Sequence, residues 1–247
     1  MAQVHEVLQC MQALAPTALA EEWDNVGLLV DAQRAGDILL TLDITHAVID
    51  DAVKNGYAII VSHHPVIFAG QSRLAKTDVV YRLIENGLSA ICMHTNLDAA
   101  DGGVNDALAN ALGLCEVKRL NAAGARMGTL QSPMCASALA QLCAQRLSAH
   151  VQYVDAAKPI TTLALLGGAG KAYLQDAINA HADAFLTGEA GHHTALEALE
   201  AGVSLFAAGH FATEYPVLAP LANRLTQAFA DTRVSVSAAA QNPFAYV

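Results

Sequence analysis

Four apolar stretches of this chain run straight into side chains that can bind a metal ion or move a proton. YAIIVS (57–62) leads to His63 and His64, and LSAICM (88–93) leads to His94 and then Asp98. ADAFLTG (182–188) leads to Glu189 and His193, while VSLFAA (203–208) leads to Gly209, His210 and, four residues on, Glu214. In open α/β sheets, ligands collect outside the carboxyl ends of the strands. These groups therefore fall where that rule expects a site. Imidazoles and carboxylates without a thiolate suit Zn, Mn, Fe(II) or Co in a catalytic centre with open positions, rather than a closed structural zinc. Two such ions about 3.5–4 Å apart can share a water and lower its pKa toward neutrality, which makes a hydrolytic nucleophile available.

The spacings say how the groups could converge. Neighbours such as His63 and His64 point to opposite faces of a regular strand, but at a strand end each can engage a different ion. His210 and Glu214 are four apart at an expected helix start, so they share one helical face. Asp98, expected on a loop, can bridge two cations with its two oxygens. Each feature alone has an ordinary reading: a strand-end histidine is commonly a hydrogen-bonding residue, and an i,i+4 His/Glu pair is commonly a helix-surface pair. Their shared position at strand ends favours metal. The turn GGAGK (167–171) lacks the G-x-x-x-x-G-K-[ST] spacing of a phosphate loop, so tight turning is its expected role. Trp23, the only tryptophan, is expected to anchor packing, with Asp24 and Asn25 making turn hydrogen bonds.

The elements that must hold these groups alternate. Strands are expected at 38–44, 57–62 and 88–93, with helices at 3–14, 45–55, 78–86 and 103–112. Glycines at 56, 87 and 113 stop the last three helices. After a less periodic stretch (115–160) with one helix at 134–147, strands are expected at 161–166, 183–187, 203–208 and 233–238. Helices at 171–181, 190–201 and 213–228 lie between them. The pattern reads as two α/β domains, 1–115 with the His-His and Asp groups and 116–247 with the His/Glu pair. The C-terminal tail is free to pack back on the first.

With 54% hydrophobic and 15% charged residues, the 247-residue chain can build a sizeable core. A net charge of −10 without any Lys/Arg cluster argues against polymeric nucleic acid as a partner. No apolar run approaches the roughly 20 residues that span a bilayer. No Lys or Arg precedes Arg34, so the positive region of a secretory signal is missing and a cytoplasmic location is expected. Five cysteines without a C-x-x-C pair point to buried reduced thiols rather than to disulfides or structural zinc.

Taken together, EEWDNVGLLV (21–30), SHHPVIFAG (62–70), HTNLDAADGGVNDALA (94–109), TGEAGHHTALEA (187–198), AAGHFATE (207–214) and the NP at 242–243 resemble the GTP cyclohydrolase I type 2 homologs, the YbgI-like proteins. The resemblance covers nearly the whole chain in the family's order. It implies two similar α/β domains with a dinuclear metal site between them, two divalent ions per chain, and assembly as a homohexamer. By position it also implies that His63, His64, Asp98, His210 and Glu214 are the metal ligands. His94, Glu189 and His193 then become acid–base candidates; Glu189 stands where relatives commonly carry Asp. The function so implied is a dinuclear-metal hydrolase acting on a small, nucleotide-like or phosphorylated substrate. The competing expectation is a metal-binding assembly or regulatory protein without turnover.

Overall fold

A computed structural model describes residues 1–246, and the chain forms two compact α/β units, each with its own sheet. The first comprises Met1–Ala100 and Leu218–Gln241; the second comprises Asp101–Val217 and the described residues from Asn242 on. The first unit begins with α1 (Val4–Leu14), whose Val4, Val7 and Met11 fall on one buried face. Strands β1 (Gly27–Val30) and β2 (Asp37–Thr41) follow, then α2 (His46–Asn55). Thr45 caps α2 by accepting a hydrogen bond from the Val48 N–H, and Gly56 closes it at φ 74°, a left-handed conformation that favours glycine. The wholly buried β3 (Tyr57–Ser62), α3 (Val79–Glu85), β4 (Ser89–Cys92) and the short α4 (Thr95–Ala99) complete this stretch.

In the first sheet β4, β3 and β2 run parallel, and β1 lies antiparallel along β4. The register pairs Thr41 with Ser62 and Ser62 with Cys92, so the three parallel strands finish side by side. Asp43, His63, His64 and His94 follow these aligned ends within two residues. Leu39, Ile60 and Ala90 from the same strands join Val48, Ile49 and Leu83 in the core that fixes the sheet under its helices.

The second unit opens with α5 (Val104–Leu112), β5 (Cys115–Arg119), β6 (Arg126–Met134), α6 (Ala136–Leu147) and β7 (Gln152–Val154). Next come β8 (Ile160–Leu166), a 3-10 turn at Gly170–Tyr173, α7 (Leu174–Asn179), β9 (Ala184–Thr187) and α8 (His192–Glu200). Strand β10 (Ser204–Ala207) and α9 (His210–Glu214) end at a 3-10 turn, Tyr215–Val217. The sheet order is β5-β6-β8-β9-β10-β7, parallel only among β8, β9 and β10. Leu166, Thr187 and Ala207 lie abreast in that parallel core. Successive β8 residues serve opposite faces: Leu163 and Leu165 join one apolar cluster, Ala164 and Leu166 the other.

The chain then returns to the first unit as α10 (Leu218–Ala228) and β11 (Val234–Val236), which adds to the edge of β2 in parallel. The helix expected over 213–228 is therefore two helices. Pro216, which has no N–H to donate, sits in the turn that separates them. Strands β1, β5, β6 and β7 were not expected; each pairs antiparallel at or near a sheet edge, and β6 carries Gly128 and Pro133. Cys92 and Cys143 are buried, burial pushing the Cys143 thiol up to about 12. Cys115 and Cys135 are exposed, which corrects the expectation that the thiols are buried. No helix among the described residues is long and apolar enough to cross a membrane.

One ion pair ties the start of the second unit to its sheet. The Arg126 side chain is 2% exposed and grips Asp106 through Nε to Oδ1 at 2.6 Å and Nη2 to Oδ2 at 3.0 Å. Burial pushes the Asp106 carboxyl up, but the hydrogen bonds from Arg126 and the Gly102 N–H outweigh it and hold the group below the ordinary aspartate value. A carboxyl depressed on folding stabilises the protein fully above its unfolded pKa of about 3.9, and that contribution is lost as pH falls through the folded value. Asp106→Asn is accordingly expected to cost about 2 kcal/mol in urea unfolding at pH 7. The gap between variant and parent should close as the titration is repeated at successively lower pH below about 4.

Candidate metal centre

The backbone ladder of the first sheet continues past its strands and delivers the histidines together. The His63 and His64 amides donate to the Thr41 and Leu42 carbonyls at 3.2 and 2.9 Å, and the Met93 amide donates to Ser62 at 2.9 Å. The rings of His63, His64 and His94 pack with centroids 4.8, 5.3 and 5.5 Å apart. One ring nitrogen of each lies within 4.8 Å of the others. Asp98 Oδ1 stands 3.6 Å from His63 Nε2. Asp98 belongs to the first turn of α4 rather than to the expected loop, because the His94 carbonyl accepts from the Leu97 and Asp98 amides and starts the helix there.

Each ring is fixed by its other nitrogen. His63 Nδ1 is 2.8 Å from the Met93 carbonyl, His64 Nδ1 is 2.8 Å from Asp43 Oδ1, and His94 Nδ1 is 2.8 Å from Asp24 Oδ1. A carbonyl or a carboxylate only accepts, so the proton of each neutral imidazole sits on Nδ1 and the lone pair is presented at Nε2. This is the outer-shell pattern that orients metal-binding histidines. Burial pushes the His94 pKa down, the neighbouring His63 charge adds to that, and the Asp24 contact does not reverse it. The ring therefore rests neutral near pH 7, the form that ligates. On Asp24 itself burial acts upward, but hydrogen bonds from His94 and Thr95 prevail and keep the carboxylate ionised.

The second unit repeats the device on α9. His210 Nδ1 is 2.9 Å from Glu189 Oε1, and His210 Nε2 is 3.0 Å from Glu214 Oε1, the i,i+4 partner. Glu214 is almost fully buried. The helix can approach this closely only because the facing turn is glycine. A Cβ on Gly168 would stand 2.2 Å from Glu214 Oε1 and 3.2 Å from His210 Nε2, and one on Gly188 would stand 2.8 Å from the His210 Cα. The GGAGK amides serve the same packing: Gly167 donates to Asn105, Gly168 to the Thr213 hydroxyl and Gly170 to the Thr187 hydroxyl. Those amides are satisfied by protein, which supports the turning role over phosphate binding.

Of the acid–base candidates, His94 joins the first cluster and Glu189 supports His210. His193 lies exposed at the start of α8, with its ring edge-on to His192 5.6 Å away. Two carboxylates that hold these rings were not foreseen in that role. Asp43 sits two residues beyond the end of β2, so the strand-end rule applied to that third strand would have found it. Asp24 was read as a turn residue, and nothing in its spacing ties it to His94, 70 residues away. Trp23 is 58% exposed, so it is not the packing anchor expected.

One imidazole triad and one His/Glu pair, with tethered Nδ1 atoms and set past the carboxyl ends of parallel strands in two α/β units, define a mixed α/β protein with side-chain groups that could hold metal. A family model described as Duf34/NIF3 (NGG1p interacting factor 3) matches residues 2–243, and the chain belongs to that family. It is 35% identical over 236 residues to a GTP cyclohydrolase 1 type 2 homolog of Streptomyces coelicolor, covering 87% of this chain and 83% of that protein. It is 30% identical over 242 residues to the Clostridium acetobutylicum protein of the same name, covering 90% and 89%. Among solved structures, the Staphylococcus aureus hypothetical protein SA1388 superposes with a TM-score of 0.94 at 28% identity, over 99% of each chain.

If the tethered Nδ1 atoms preorganise metal binding, Asp43→Asn and Glu189→Gln should each weaken zinc affinity about 10–100-fold in a chelator-competition titration, with the fold intact by circular dichroism. Gly168→Ala should do the same through displacement of Glu214.

Proposed function

We propose that this chain is a metal-dependent hydrolase that holds two divalent ions through His63, His64, Asp98, His210 and Glu214 and acts on a small, nucleotide-like or phosphorylated substrate. The observation that carries the reading is the set of four imidazoles whose Nδ1 atoms are all engaged by a carbonyl or a carboxylate. Such tethering presents the opposite nitrogens, as ligands in His63, His64 and His210 and as a proton acceptor in His94. The donors are nitrogen and oxygen only, since the nearby Cys92 thiol is buried, strongly raised in pKa and donates to the His63 carbonyl. That set fits Zn, Mn, Fe or Co.

Bound ions of this kind supply Lewis acidity, polarising a scissile bond and acidifying water. The chain's own residues divide the remaining work. Met93, Asp43 and Glu189 set the ring planes. His94, neutral and held by Asp24, is the proton-transfer group, since its free nitrogen lies beside His63 and His64. Glu189 is committed to His210, and His193 is the remaining candidate proton donor. The reading also carries a homohexameric assembly and a cytoplasmic setting, on the strength of the family resemblance. Light scattering on the purified protein would measure the assembly.

The test is a broad assay of zinc-, manganese-, iron- and cobalt-loaded protein against nucleotides, phosphoesters and amides. At least one class should turn over, with His64→Ala lowering the rate at least about 100-fold and lowering metal content with it. If no activity depends on His64 while metal still binds, the chain is a metal-binding assembly or regulatory protein instead.

A further inference from the structure

Beside the three-histidine cluster the surface carries two large aromatic side chains that the core does not use. Trp23 is 58% exposed and Phe68 is 60% exposed, with ring centroids 5.8 Å apart and planes tilted by 40°. The Trp23 ring also meets His94 edge-on, with centroids 6.0 Å apart and an interplanar angle of 78°. Exposed aromatics of this size are ordinarily buried, because each would remove well over 100 Å² of apolar surface from water. Here they are held out by structure. The Asn25 side-chain amide donates to the Ile67 carbonyl at 2.6 Å, clipping the tryptophan loop to the phenylalanine loop. Asp24, the residue after Trp23, is bound to His94 and to the Thr95 amide and hydroxyl. The two rings are thus fixed relative to His94 through both loops.

The loop that carries Phe68 continues through Arg73 and Lys76, both exposed and neither in an ion pair or hydrogen bond among the described residues. The tryptophan loop carries exposed Glu21 and Glu22 while the Phe68 loop carries these two cations, so an anionic group is favoured on the Phe68 side of the pair.

We propose that Trp23 and Phe68 form a stacking platform for a flat heteroaromatic ring joined to an anionic group, as in a nucleoside monophosphate, and hold that ring at the edge of the His63–His64–His94 cluster. An aromatic face accepts any base by stacking, and the basic loop serves the phosphate. The inference deepens the proposed function by naming the substrate class of the same site, but its test reads binding and not turnover, so the two can fail separately.

Trp23 is the only tryptophan, so its fluorescence reports on this position alone. Zinc-loaded protein is titrated with the four common nucleoside 5′-monophosphates and with ribose 5-phosphate as the ring-free control. At least one nucleotide should quench Trp23 saturably while ribose 5-phosphate does not. Phe68→Leu, which keeps apolar bulk and removes the ring, should weaken that binding about tenfold, and Phe68→Tyr should restore it. Zinc content should stay at the parental level in both variants. Quenching by ribose 5-phosphate alone, no saturable quenching by any nucleotide, or unchanged affinity in Phe68→Leu overturns the platform. So does a change in particle size in Phe68→Leu, which would mean that a second copy of the chain covers the pair.

Discussion

A neutral imidazole has one lone pair, and the hydrogen bond at its other nitrogen decides where that pair points. Four histidines of this protein have that decision made for them, and the surrounding structure is arranged to make it. His63 relies on a backbone carbonyl, which its own sheet supplies from the neighbouring strand end. His64, His94 and His210 rely on carboxylates, each delivered by a different loop. A carboxylate does more than a carbonyl: it raises the basicity of the ring it holds and lends negative charge to the histidine cluster. The acidic surplus of the chain thus has a local use.

The tethers work only because the strand ends are level. In each unit three parallel strands finish in register, so residues one or two positions past their ends emerge within reach of one another. Parallel strands buried on both faces need helices to cover them, and the helices return the chain to the next strand's start, leaving the carboxyl ends free for loops. In the second unit the close approach of α9 adds a further demand, that no side chain stand at residues 168 and 188. Two glycines meet it, with Gly168 at φ 60°. In the second unit the glycine turn beside α9 has its amides consumed by side chains such as Asn105 and Thr213. The rigidity of the site therefore comes from hydrogen bonding of the turns as much as from the core.

Much of this was legible in the residue pattern. Runs such as YAIIVS and VSLFAA were apolar but for one serine each, which is the mark of a parallel strand, and β3 lies over the residues expected. Glycines after α2 and α5 take the left-handed conformation expected of helix stops. The antiparallel strands were harder. Residues Cys115–Arg119 are mostly exposed and mixed in character, and Arg126–Met134 is interrupted by glycine and proline, so neither shows a clean period. They are strands because neighbours offer them hydrogen bonds, which is a property of the fold and not of the segment. The break at Pro216 was visible in principle, yet the apolar periodicity on both sides masked it.

The carboxylates show the same division at the level of chemistry. Glu189 followed a strand and was singled out; Asp43 followed a strand and was not, since the expected strand ran on over it to residue 44. Asp24 is a different case. Its sequence neighbours suggest only a turn, and its contact with His94 exists because the loop before β1 is carried to the end of β4 by the antiparallel pairing of those strands. Once Asp24 is held there, Trp23 has no route into the core, because the next residue in the chain is already committed to the site. The exposure of the tryptophan thus follows from the orientation of His94 by its neighbour Asp24.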